Sequence, residues 1–190
     1  MSDPVAVLDY WLGSVGPEGW YEGSEALDAE IYALFSELWD AALAGNLDHW
    51  VDGPVGTLAF LILTDQFSRN MFRGEAKAFA TDPLARDAAR RALAEGWDLE
   101  APEPERQFFY MPFEHSEDPA DQALAIDLMD NRMPETGKTL SLHARAHAEI
   151  IKRFGRFPFR NAALGRDSTP EETIFMDEGG YGAIVRRLQS

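Results

Sequence analysis

The chain has 190 residues, 45% of them apolar and 12% aromatic, with no cysteine and a net charge of −16. That length and apolar content fit a single domain, residues 1–190, burying roughly 70% of its unfolded surface. The absence of cysteine excludes a disulfide framework and a cysteine-ligated metal site, and the charge makes nucleic acid and anionic membrane surfaces poor partners.

The opening stretch MSDPVAVLDYWLG is acidic and has no long apolar core, so no secretory leader is expected. No run approaches the roughly 20 apolar residues needed to span a bilayer, and a cytoplasmic location is the default expectation. Asp3-Pro4 sets an N-cap acid before a proline at the first helical position, which predicts a helix over 4–12 closed by Gly13. A second helix is predicted over 25–44, where Leu27, Ile31, Leu34, Phe35, Leu38 and Trp39 make an apolar stripe and Gly45 ends it. A third covers 54–67. Asp82-Pro83 opens a fourth over 83–95, closed by Gly96, and a fifth covers 104–117. Asp118-Pro119 starts a sixth over 119–132. A seventh runs over 138–154 to Gly155, and Ser168-Thr169-Pro170-Glu171 reads as a capping box before an eighth over 170–178. No alternating strand pattern of useful length occurs, nor an Asn-Gly hairpin turn. The chain reads as all-α, about eight helices, with more than half its residues helical.

Three stretches carry polar chemistry. In LAFLILTDQFSRNMFRG, residues 58–74, the run 58–63 is apolar on every side, which predicts a central helix. Asp65 and Arg69 extend its stripe inward. An inward charge needs partners, because an unpaired buried charge costs several kcal/mol. One reading is a structural Asp65–Arg69 pair one turn apart; the other is a helix end delivered into a polar cavity. In KTLSLHARAHAEIIKRF, residues 138–154, His143 and His147 share a face with Leu140, Ile150, Ile151 and Phe154. Two histidines at i, i+4 can share a metal. Ala144 stands where a zinc protease has its glutamate, however, and any third ligand must come from Glu114, His115 or Glu117. No metal and no cofactor are expected. The commoner arrangement is a pair of half-buried histidines bonded to carboxylates or carbonyls, and acid–base chemistry is a further possibility. Finally, 145–166 holds six basic residues against the single acid Glu149, in a chain with fourteen arginines and three lysines. Guanidinium suits bidentate capture of carboxylate or phosphate. The plainer reading is an Arg145–Glu149 pair, with the other cations neutralising an acidic molecule. In GRFPFRN the stiff alternation with Phe157, Pro158 and Phe159 holds Arg156 and Arg160 at fixed positions.

Four segments in this order, LILTDQFSRNMFRG, ERQFFYMPFEHSED, HAEIIKRFGRFPFRNAALGR and STPEE, resemble a mostly bacterial family known as domain of unknown function family 924. The resemblance spans nearly the whole chain. It implies a compact, tetratricopeptide-repeat-like array of stacked helix pairs, although no clean 34-residue repeat is visible. It implies no activity. Its motif positions fall here on Asp65, Gln66, Phe67, Arg69, Asn70, Arg73 and Gly74, then on Arg106, Phe109, His115, Ser116 and Glu117. The last group is His147, Arg160, Asn161, Gly165 and Arg166. Two positions depart from the pattern: Ser68 stands where proline is usual, and Phe159 where histidine is usual. If that histidine is catalytic in the family, this chain lacks the step.

Most of these motif positions are polar, as a binding cavity requires. The first expectation is therefore a pocket for a small anionic ligand, carboxylate or phosphate. Asp65, Gln66, Arg69, Asn70, Arg73, Arg106, Arg160 and Asn161 would bind it, with Arg69, Arg73 and Arg160 touching the anion and Asp65 and Glu117 orienting the arginines. A small anionic molecule or an acidic peptide is the expected partner. The second expectation is a hydrolase or lyase with His147 or His115 as general base and Glu117 orienting the imidazole. No nucleophile elbow, phosphate loop or dinucleotide fingerprint names a reaction, so enzyme status stays open. The third is a tetratricopeptide-like scaffold for a protein segment, and a structural polar network is the alternative to all three.

Overall fold

A helix that stays apolar around its whole circumference has to be surrounded, and every residue from 57 to 68 is buried. This stretch lies in a computed structural model that describes residues 3–190. Helices make up 76% of it, and no strand occurs among the described residues. The chain divides into two compact units, Met1–Pro112 and Phe113–Ser190.

In the first unit the central helix starts at Pro54–Leu61, widens over Ile62–Phe67 into π-helical turns, and finishes as Ser68–Met71. It thus runs four residues past its predicted end. Its polar residues are absorbed locally: the Thr64 hydroxyl donates to the Phe60 carbonyl at 2.6 Å and that of Ser68 to the Thr64 carbonyl at 2.9 Å. Around it pack Pro4–Leu8 with its π-helical continuation Asp9–Val15, the long helix Glu25–Leu43, and Asp82–Glu95. Phe67 is the hub of the core. Its ring lies 5.2 Å from Trp11 and 4.8 Å from Phe35. Trp11, Trp39 and Phe67 are fully buried, each contributing on the order of 1.5–3 kcal/mol. Gly56 lets the central helix approach the turn before it, since a Cβ there would stand 2.2 Å from the Trp50 carbonyl oxygen.

In the second unit, Pro119–Arg132 and Gly137–Phe154 pack against each other as a helical hairpin. Pro170–Asp177 and Gly180–Gln189 complete a core of Ala146, Ile150, Ile151, Phe157, Phe175 and Ile184.

Several terminal signals act as read. Asp3 and Asp118 accept from the amides of Val5 and Ala120, and Gly96 and Gly155 end their helices in left-handed conformation. Others are corrected. Gly13 lies inside a helix that continues to Val15, and Gly16 with φ +69° ends it. Thr81, not Asp82, precedes the fourth helix. The capping box joins Thr169 to Glu172, one residue later than predicted. The predicted helix over 104–117 is two short pieces, a 3₁₀ turn Glu105–Phe109 and Met111–Glu114. Pro112 explains the break, because it lacks an amide proton for a continuous ladder and fits only a first helical turn. Gly180–Gln189 was not predicted at all.

Candidate functional site

The candidate residues fall into two groups. Asp65, Gln66, Arg69, Asn70, Arg73 and Arg106 belong to the first unit; His115, Glu117, His147, Arg160 and Asn161 belong to the second.

In the first unit the polar end of the central helix meets the protein's own charges. Arg69 Nη1 lies 3.1 Å from an Asp65 carboxylate oxygen and donates to the Asp65 carbonyl at 2.7 Å, while Nη2 lies 3.1 Å from Asp82. The guanidinium therefore clamps two carboxylates whose residues are 1% and 7% exposed. Gln66 donates to Asp65 at 2.5 Å. Arg73 forks onto Asp28 at 2.7 and 3.0 Å, and Asn70 donates to the same carboxylate at 2.8 Å. Burial pushes the Asp28 carboxyl up, but the hydrogen bonds from Arg73 and Asn70 and the Arg73 charge hold it below the usual range. Arg106 takes different partners, the Ala101 carbonyl at 3.0 Å and Glu103 at 3.8 Å.

The second unit holds two adjoining clusters. One is an ion network. Arg166 forks onto Glu117 at 2.8 and 3.0 Å and donates to Asn161 at 3.0 Å. Asn161 donates to Glu172 at 3.2 Å, and Arg156 forks onto Glu172 at 2.6 and 2.8 Å. Glu117 also accepts from the Phe157 amide at 2.8 Å. Glu117 is thus the carboxylate of Arg166 and of a backbone amide, which corrects the expectation that it orients a histidine. The expected Arg145–Glu149 pair is absent as well: Arg145 pairs with Asp130 and Glu149 with Arg187.

The other cluster is built on the histidine helix Gly137–Phe154. His147 Nδ1 lies 2.5 Å from Glu114 Oε1; the imidazole side chain is 14% exposed and that carboxylate side chain 5%. Glu114 ends the short helix Met111–Glu114 and reaches the histidine helix 33 residues later in the chain. Burial raises the Glu114 carboxyl, yet the charges of His147, His115 and His143, with the His147 hydrogen bond, bring it below the usual carboxylate value. Tyr181 stacks on His147 at 4.7 Å, and its hydroxyl meets His143 Nδ1 at 2.5 Å. His115 lies edge-on to His147 at 6.1 Å, and Phe157 edge-on at 5.4 Å. Arg160 covers the Phe157 ring at 4.6 Å and donates to the His115 carbonyl at 2.8 Å. Three imidazoles, a phenol, a guanidinium and a buried carboxylate thus occupy one neighbourhood. Among the described residues, no group of three or more histidine, aspartate or glutamate side chains is disposed to hold a metal ion.

The ion network makes a prediction about acid. The Arg156 fork, the Thr169 amide and Asn161 lower the Glu172 carboxyl from 4.5 to about 2, and Glu117 is lowered too, its Arg166 fork and the Phe157 amide outweighing burial. Carboxyls depressed in the folded state stabilise it above their unfolded value and lose that contribution as they protonate. Thermal unfolding midpoints should therefore fall steeply as pH drops from about 4.5 to about 2. Glu172→Gln should start lower at pH 7 and show a shallower acid loss. An unchanged slope would contradict this account of the network.

A family profile described as "Bacterial protein of unknown function (DUF924)" matches residues 7–180, and the chain belongs to that family. A solved structure, "Structure of Protein of Unknown Function ATU0120 from Agrobacterium tumefaciens", is 42% identical with a TM-score of 0.85, covering 93% of this chain and 97% of that one. No curated protein matches. No described helix is long and apolar enough to cross a membrane.

Proposed function

We propose that the histidine cluster of the second unit binds a small anionic molecule, carboxylate or phosphate, and handles a proton on it through His147. The observation that carries this reading is the 2.5 Å contact between His147 Nδ1 and the buried Glu114 carboxylate. A carboxylate behind one ring nitrogen favours the proton on that nitrogen, fixes the ring and leaves Nε2 as the working atom. Glu114 takes the orienting role first expected of Glu117. When the ring is protonated, Nε2–H is a charged donor for an anion; when it is neutral, Nε2 is a base. Arg160 and His115 supply further positive or donor groups beside it. Arg69 and Arg73 are less suited to the anion-contacting role expected of them, because each already forks or bridges onto carboxylates of the first unit.

Thermal unfolding in inorganic phosphate and in citrate tests the reading. Specific stabilisation grows as RT ln(1 + [L]/Kd), about 2.7 kcal/mol at a hundredfold excess over Kd. Phosphate and citrate also stabilise proteins by exclusion from their surface, so the comparison is with variants under the same salt. His147→Gln should abolish the specific part, and Glu114→Gln should weaken it. Equal stabilisation of the parent chain and both variants would overturn the proposal.

A further inference from the structure

A different feature, made wholly of first-unit residues, does not draw on the histidine site. Leu8, Leu12, Val55, Leu58, Trp97 and Phe109 line a cavity of about 270 Å³. An apolar cavity of about 150 Å³ already accommodates benzene, so this one has room for a ligand of about ten non-hydrogen atoms. Its chemistry is one-sided. Among the described residues, the charged side chains lining it are Glu100 and Glu105, both acidic. Glu105 Oε2 is sheltered from solvent and has no hydrogen-bond partner. A carboxylate side chain that lines an apolar cavity and pairs with no cation of the protein asks for a donor there, and a cationic donor most of all. The nearby cations already have acidic or carbonyl partners. Arg91, which packs on Trp97 at 5.7 Å, bonds Asp52 at 3.0 Å, and Arg106 is held by Ala101 and Glu103. At the wall, Val55 remains 55% exposed, leaving apolar surface that a ligand would cover.

We propose that this cavity binds a small apolar amine, its hydrocarbon or aromatic part against Leu58, Trp97 and Phe109 and its ammonium at Glu105. The apolar wall supplies affinity for the body of the ligand, and the carboxylate selects its charge. A hydroxyl would satisfy the oxygen but not the charge. A carboxylate ligand would meet two like charges.

Protein NMR titration of the full chain with 2-phenylethylamine, 2-phenylethanol and 3-phenylpropionate separates these cases. The amine should bind saturably and about tenfold or more tighter than the alcohol, the range expected for a charged hydrogen bond, with no binding of the carboxylate. Glu105→Gln should reduce the amine to the level of the alcohol. Val55→Lys, at a half-exposed position that tolerates a polar side chain, should block the amine by placing an ammonium at the wall. The proposal fails if amine and alcohol bind equally to the parent chain, if none of the three binds, or if Glu105→Gln leaves amine affinity unchanged.

Discussion

Arg69→Ala should lower the unfolding free energy by about 3–5 kcal/mol, measured by urea denaturation at neutral pH. The size follows from what the substitution leaves behind. Asp65 and Asp82 sit 1% and 7% exposed on the two sides of one guanidinium. Removing it takes the shared cation from between two largely buried carboxylates, which must then take up a proton or gain solvent. Arg69→Lys should rescue only in part, since the donors of an ammonium converge on one nitrogen and cannot span the two carboxylates as Nη1 and Nη2 do. Asp65→Asn added to Arg69→Ala should recover about 1 kcal/mol, because the two residues are in contact and their effects are not additive. A loss below about 1 kcal/mol for Arg69→Ala would contradict the network and return Arg69 to the expected role of anion contact.

Gly137→Ala should cost about 3 kcal/mol, the upper end of what overpacking usually costs. Its Cβ would stand 2.0 Å from the Met129 carbonyl oxygen and 3.1 Å from the Met129 carbonyl carbon. Both are backbone atoms of the partner helix of the hairpin, so no rotamer change relieves the clash and the two helices must separate. The gain that alanine ordinarily brings over glycine in a helix, roughly 0.5–1 kcal/mol, is too small to offset it. Because the same helix carries His143 and His147, the variant should also weaken anion binding under the proposed function. A melting point within error of the parent chain would contradict the close approach.

Local chemistry was the legible part. An acid before a proline needs nothing beyond the next two amides, so Asp3 and Asp118 could be read as caps directly. The central burial of 58–63 followed from a run with no polar side to face water. What escaped depended on longer range. Gly179, Gly180 and Gly182 lower the helix propensity where Gly180–Gln189 begins, but Tyr181, Ile184, Val185 and Leu188 have a core to pack on, and tertiary burial outweighs propensity. The carboxylate on His147 lay three residues from the one first expected. Glu114 and Glu117 are both acids in the same short segment, and which of them meets a histidine 33 residues later is set by tertiary packing rather than by local spacing. Tyr181 carried no signal at all, since its partner His143 lies 38 residues earlier. The partner of Arg73 is likewise remote, at Asp28.

The most direct test of the histidine site is the ¹⁵N NMR spectrum of the imidazoles, recorded during a titration with inorganic phosphate. The account predicts that the His147 side-chain resonances show the proton on Nδ1, toward Glu114, and that phosphate shifts the Nε2 resonance saturably. In Glu114→Gln both signatures should be lost or weakened. A proton on Nε2 in the neutral ring, with resonances unmoved by phosphate, would contradict it and leave His147 and Glu114 as a structural pair.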